Sequence, residues 1–374
     1  MFWAALAMIN LAAGIVISSQ PHRLYDLESI MRWGQYWLAD GTNVYEPGRW
    51  GAVDYPPNAV VLLSPLALMP LGLAHPLWML LNLAMAIVAP YYAARFFRPH
   101  DPFRVIALPV LMFLCWGGMR TLTQFTLIAL TCSIAAMVTA DRRPITAGAW
   151  LGLAMMKPQV ALPVFLWSVF TRRWTTVLTS FALVASLVVV FCARAGAHPL
   201  EVAVRYVEIL AIHHTGEAIL AGISELRPLI DQLVTNVSDV DAIAGSIALG
   251  LIAGICAAGF QEGAVRKKVL YAAPPLVGCW SLMSFYHLTY GFVILLPVMM
   301  LLALNDARPS RVRQTLFWVL QAGMMFDIPG LSRRAGLANT ALYSNALAHA
   351  DRALILTLFV GLVALAWREA SEPL

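Results

Sequence analysis

Charge is scarce in this chain. Asp, Glu, Lys and Arg make up 12% of its 374 residues, against about 25% in a soluble domain. Residues of the apolar set reach 60%, where about 45–50% is usual. A single soluble domain and a disordered chain are excluded. Cysteine is also sparse. All five (Cys115, Cys132, Cys192, Cys256, Cys279) sit in apolar runs and no CxxC occurs, so neither a disulfide framework nor a thiolate metal site follows. No P-loop, GxSxG or HExxH is present, which removes the nucleophile, nucleotide and zinc-protease chemistries those motifs carry. Sequence repeats and low-complexity tracts are absent too. The net charge of +5 is not gathered on one long basic face, so no nucleic-acid partner is expected.

What is present is a succession of apolar runs from end to end. A span needs about 20 apolar residues, and the expected fold class is all-α, a polytopic transmembrane helix bundle. The uncharged run Phe2 to Ser18 lacks a basic n-region and a cleavage site, and is read as a retained first span. Further spans are expected at 77–94, 104–118, 122–139, 175–193, 243–261, 269–284, 288–304, 314–327 and 350–367. The stretch 144–171 is broken by Lys157-Pro158, which fits either one kinked span or a hairpin of two short ones. The basic clusters Arg142-Arg143, Arg172-Arg173, Arg266-Lys267-Lys268 and Arg308 to Arg313 all fall on the inner side if 144–171 is a hairpin and 59–71 dips in without crossing. That gives about twelve crossings with both termini inside, in keeping with the positive-inside bias.

Residues 1–374 then form one integral membrane domain with two large outer loops, 19–58 and 194–241. The first holds five of the 20 acidic residues (Asp26, Glu28, Asp40, Glu46, Asp54) and three arginines. Trp33, Tyr36, Trp37 and Leu38 beside those charges suggest a helix lying in the interface, stopped near Gly41. Asp54-Tyr55-Pro56-Pro57 is a rigid break before the next run. Under this topology Asp26, Arg120, Gln124, Lys157, the His213-His214 loop and His287 share the outer face, as an active site there requires.

Asp26 lies just past the first span, where a carboxylate at the edge of a low-dielectric region can serve as a base; a solvated acid favouring a helix N-terminus is the plain alternative. Lys157 interrupts an apolar run. A lysine at mid-bilayer costs about 2.5–3.5 kcal/mol, so it snorkels, pairs or meets a lipid-linked phosphate. His287 lies in a stretch, Val269 to Asn305, without Asp, Glu, Lys or Arg, and bonds a neighbouring helix or a phosphate or sugar. Asp239-Val240-Asp241 resembles a metal-binding DxD but immediately precedes a span, where acids cap a helix. Gly250 and Gly254 form a GxxxG of helix packing. No metal and no cofactor are expected.

The segment Asp26 to Pro70 resembles the polyprenyl-phosphate-mannose-dependent mannosyltransferase family of the GT-C superfamily of membrane glycosyltransferases. Asp26, Gly41, Tyr45, Tyr55-Pro56-Pro57 and Pro65-Leu66 match in order. Thr123-Gln124-Phe125-Thr126 resembles the family's GQxN, with Gly and Asn replaced. Gly148 to Leu153, Lys157-Pro158 and Arg172-Arg173-Trp174 resemble its G-x-x-L-G-L, KP and RRW elements. Ser284 to His287 resembles its S-x-x-W-x-H without the tryptophan.

The resemblance implies a GT-C bundle with interfacial helices in the first outer loop. It implies transfer of a sugar from a polyprenyl-phosphate donor, at the outer leaflet, to a lipid-linked or glycan acceptor hydroxyl, with membrane lipids around the protein. Mannose is the first candidate sugar, and the departures leave arabinose and glucose open. Asp26 maps onto the family's base. A phosphate leaving group needs cations, for which Lys157, His287, Arg120 and Arg205 are the candidates; Tyr55, Gln124 and Glu28 are candidate substrate contacts. The Ala- and Arg-rich, Lys-poor composition suggests a bacterium, hence its plasma membrane with a periplasmic site. The rivals are a lipid or solute transporter and an inert scaffold. The polar first loop ending in Tyr-Pro-Pro argues against the first, and clustered ionisable residues against the second.

Overall fold

The computed structural model describes residues 1–20, 25–46, 53–97, 103–120, 122–215, 274–283, 289–304, 310–326, 328–337 and 347–371, with single positions at 340 and 342. All regular structure among them is helical. The first helices are α1 (Phe2–Ser18), α2 (Tyr25–Asp40), α3 (Pro57–Leu63), α4 (Leu71–Phe97), α5 (Phe103–Leu114), α6 (Thr126–Thr139), α7 (Pro144–Ala154), α8 (Pro158–Phe170), α9 (Trp174–Ala195) and α10 (Pro199–Thr215). Later helices include Leu296–Leu304, Arg311–Met325 and Ala350–Ser371. Two, α4 and α9, are each long and apolar enough to cross a membrane. The span expected at 243–261, the ends 269–273 and 284 of that at 269–284, and Asp239-Val240-Asp241 lie outside the described residues.

The ends of the helices fall at two levels. At one, Arg173 pairs with Asp141 at 2.8 Å and the Thr176 hydroxyl donates to the Pro144 carbonyl at 3.2 Å. These bonds bring together the end of α6 and the starts of α7 and α9, with the Arg142-Arg143 and Arg172-Arg173 clusters. α7 and α9 run parallel, because the Gly148 Cβ position abuts Thr179 while that of Gly152 abuts Leu183. α8, which joins the end of α7 to the start of α9, must therefore run back between them. Of the two readings of 144–171, the hairpin is the one observed. Its tip, Met155 to Lys157, lies at the opposite level.

Two glycines permit this packing. A Cβ on Gly148 would stand 2.5 Å from Thr179 Cβ and 2.7 Å from the Thr176 carbonyl oxygen. Small residues four apart let helix backbones approach within an apolar bundle.

The level of the hairpin tip also receives the end of α1. The Ser18 hydroxyl accepts from the Leu122 backbone N–H at 3.0 Å, and the His75 ring bonds the Ser18 carbonyl at 3.1 Å. α1 thus ends where α4 begins, and residues 19–70 make no net passage between the levels. Inside this segment α3 is continued by a 3-10 turn, Ser64–Leu68, laid against α2. Gly34 makes room, its Cβ position being 3.1 Å from Ala67 Cβ, and Gln35 Nε2 donates to the Ala67 carbonyl at 3.2 Å.

α2 itself is an amphipathic helix with Asp26 and Glu28 in its first turn, where acids favour the positive helix end. It stops at Gly41, whose φ of +63° is the left-handed conformation glycine adopts without penalty. The Thr42 N–H bonds the Tyr36 carbonyl and the Gly41 N–H bonds the Trp37 carbonyl, each at 3.2 Å. The Trp37 carbonyl, together with those of Leu38 and Ala39, also accepts from the Arg194 guanidinium at the end of α9. Trp37 also stacks on Phe191 with ring centres 5.9 Å apart. The C-terminus of α2 is thereby fastened to the level that holds the hairpin tip.

Candidate active site

Lys157 is the centre of the site. Because it precedes Pro158, its backbone is held out of the helical region, at φ −131° and ψ 83°, and the proline opens α8 at the position helices tolerate best. The side chain is 5% exposed. A buried ammonium is costly unless compensated, and here the compensation is specific. Nζ donates to the Thr126 hydroxyl at 2.8 Å and stands 6.0 Å from the centre of the Tyr55 ring, the range of a cation–π contact. The carboxylates of Asp26 and Asp54 both lie within its electrostatic reach.

Tyr55 is rigidly mounted. Its carbonyl accepts from the buried Tyr45 hydroxyl at 2.7 Å, and its ring packs on Phe125 at 5.0 Å and Trp33 at 6.3 Å. Phe125 in turn packs on Trp78 at 4.6 Å. Trp78 Nε1 donates to the Thr123 carbonyl at 3.0 Å, which fixes the Thr123-Gln124-Phe125-Thr126 loop beneath Lys157. Tyr45 also meets Phe191 and Tyr206 edge-on, at 5.5 and 6.1 Å. Burial, with the nearby Tyr206 phenol and Asp54 and Cys192, pushes the Tyr45 phenol well above its usual range. Burial and Asp54 push the Tyr206 phenol up as well. Both phenols therefore stay protonated donors.

The helical period puts Asp26 on the stripe of Ile30, Trp33 and Trp37, buried residues of which Trp33 touches Tyr55. Asp26 is half-buried. Glu28, two residues on, falls on another face of the helix. Gln124 lies in the pinned loop, and its Oε1 is buried without a hydrogen-bond partner among the described residues; buried polar atoms of this kind are exceptional in native proteins and ask for an explanation. Arg120 belongs to the short 3-10 turn Gly117–Arg120 that leads into this loop. Arg205, on α10, is engaged with Glu208 at 2.8 Å. His287 lies outside the described residues. No group of three or more His, Cys, Asp or Glu side chains is placed to hold a metal among the described residues.

The structure thus gathers Asp26, Tyr55, the loop bearing Gln124, and Lys157, with Glu28 on another face of the first turn of α2. Sequence reasoning named Asp54, Tyr45 and Thr126 only as loop or motif residues, without a role in the site, and passed over Tyr206. The acid directly before Tyr-Pro-Pro was the available signal for Asp54, and the last residue of the Thr-Gln-Phe-Thr motif for Thr126. Nothing in the sequence relates Tyr206 to Tyr45 across more than 150 positions.

No curated protein and no solved structure matches the chain. The model of glycosyltransferase family 87 matches residues 54–326, a region that begins at Asp54, includes Lys157 and leaves Asp26 ahead of it. A sugar donor and an acceptor are therefore its substrates, and a transporter is disfavoured. With that match over well more than half its length, this chain belongs to glycosyltransferase family 87.

Proposed function

We propose that the protein transfers a sugar, mannose in the first instance, from a polyprenyl-phosphate donor to an acceptor hydroxyl at the outer face of a bacterial plasma membrane, without a metal. The observation that supports this reading best is the half-buried Asp26 carboxylate within electrostatic reach of the buried Lys157 ammonium. A displacement at a sugar carbon needs a base on the acceptor and a cation on the departing phosphate, and these two groups supply them.

In the step, the acceptor oxygen forms a bond to the anomeric carbon. The bond from that carbon to the donor phosphate oxygen breaks, and its electron pair leaves on the phosphate. The acceptor proton passes to Asp26. Lys157, oriented by Thr126 and Tyr55, meets the growing phosphate charge. Its cationic partners in this reading are Arg120, beside the pinned loop, and His287. Arg205 is a further candidate, already paired with Glu208. Tyr55 walls the sugar, and Gln124 offers its buried Oε1 to a substrate hydroxyl. Glu28 serves at most at the rim. The arginine clusters at the opposite level favour the cytoplasmic side, which leaves the site facing outward. In this account the large outer loops are 19–58 and 194–241 of one membrane domain.

The test is transfer from radiolabelled decaprenyl-phosphate mannose, arabinose or glucose to endogenous acceptors, in membranes carrying wild type or Asp26→Asn. Label in a new product with wild type, reduced about 100-fold or more in the variant, is expected. Equal label in both overturns the assignment of Asp26. Absence of transfer from every polyprenyl donor overturns the donor class.

A further inference from the structure

Two carboxylates stand near one buried ammonium, yet a single displacement uses one base. Exposure sorts the pair. Asp26 is half-buried on α2, while Asp54 is exposed, between the buried Val53 and Tyr55. Asp54 is also within electrostatic reach of Tyr206, where with burial it helps keep the phenol protonated. The Tyr206 ring is half-buried on α10 and braced edge-on by Tyr45 at 6.1 Å. The same Tyr45 holds the Tyr55 carbonyl at 2.7 Å, so Asp54 is attached to one of the most rigid parts of the site. On the same segment Asn58 is 2% exposed, and its Nδ2 donor has no hydrogen-bond partner among the described residues.

A carboxylate offers two acceptor oxygens, and a tyrosine offers an apolar face with a polar tip. Together they suit a ring that carries adjacent hydroxyls and C–H faces. An acceptor with one hydroxyl would give its proton to Asp26 and have nothing for Asp54. We propose that Asp54 is the acceptor-specificity residue of this site, its carboxylate accepting hydrogen bonds from the non-reacting hydroxyls of a sugar-bearing acceptor that lies against Tyr206. This deepens the transferase reading and rests on it.

The test uses the purified full chain with octyl α-mannoside and octanol as acceptor probes and decaprenyl-phosphate mannose, arabinose and glucose as donors. For Asp54→Asn the KM for octyl mannoside rises about tenfold, the loss of one hydrogen bond to a charged group. kcat changes far less, and the preference for octyl mannoside over octanol falls by the same factor. Asp54→Glu recovers part of it. An unchanged KM and preference overturns the proposal, as does a kcat loss equal to that of Asp26→Asn. Equilibrium binding of octyl mannoside without donor separates the two readings. If wild type transfers from no donor, the transferase reading fails, and the Asp54 subsite stands or falls on whether Asp54→Asn weakens that binding about tenfold or leaves it the same.

Discussion

The Lys157 ammonium donates a hydrogen bond of 2.8 Å to the Thr126 hydroxyl, and this bond joins the tip of the α7–α8 hairpin to the first residue of α6. A cation that the apolar sequence around it would otherwise expel is thereby kept at the site. An aromatic ring stands beside it and two carboxylates act on it electrostatically, so the bond also aims the charge.

Replacing Lys157 by methionine removes the charge and keeps the length. Transfer is expected to fall about 100-fold or more, the usual loss when one electrostatic contact to a developing charge is deleted. Thr126→Val leaves the ammonium but removes its acceptor, and is expected to cost about tenfold. Initial rates at saturating donor check both. If Thr126→Val matches wild type, the hydrogen bond does not orient the lysine.

Tyr45→Phe deletes a buried hydroxyl and leaves the Tyr55 carbonyl without that donor. Thermal unfolding in detergent is expected to show a loss of about 1–3 kcal/mol, accompanied by a severalfold drop in transfer, because Tyr55 carries the ring beside Lys157.

Gly148→Ala and Gly152→Ala separate fixed from yielding neighbours. The new methyl at 148 meets the Thr176 carbonyl oxygen at 2.7 Å, which belongs to the backbone of α9, whereas at 152 the closest atoms belong to the Leu183 side chain. Gly148→Ala is expected to destabilise by about 1–3 kcal/mol as an overpacked contact, and Gly152→Ala by less. Equal melting shifts would refute the parallel α7–α9 contact as the source of the difference.

Arg194→Met strips the guanidinium from the last carbonyls of α2. Helix-end carbonyls need such partners, and a loss of about 1–3 kcal/mol is expected. Gly41→Ala adds a Cβ 2.7 Å from the Arg194 carbonyl oxygen at a φ of +63°, a conformation costing a residue with a Cβ about 1–2 kcal/mol. Both are read by thermal unfolding, and in both Asp26 keeps its chemistry, so activity per folded molecule is expected to change little.

Much of the site was legible because it lies where the hydropathy pattern is broken. Asp26 and Lys157 are charges bordering apolar runs, and Tyr55 belongs to a proline break. Asp26 was expected as the base and Glu28 as a substrate contact, and the helical period sets the two on different faces of α2. Thr126 and Tyr45 carry no charge, so they stood only as members of matching motifs, with no role, before their partners were known.

Composition and periodicity by themselves determined that the chain is helical and apolar enough for a membrane, because the burial of backbone polar groups in hydrocarbon leaves the helix as the local solution. They also determined which ionisable residues would be costly in their places. The tertiary structure alone decided that 144–171 turns back, since that depends on α7 and α9 running parallel through contacts between residues some 30 positions apart. It alone brought Asp26, Asp54 and Lys157 together. Electrostatic reach is a distance in space, and no local sequence preference specifies it.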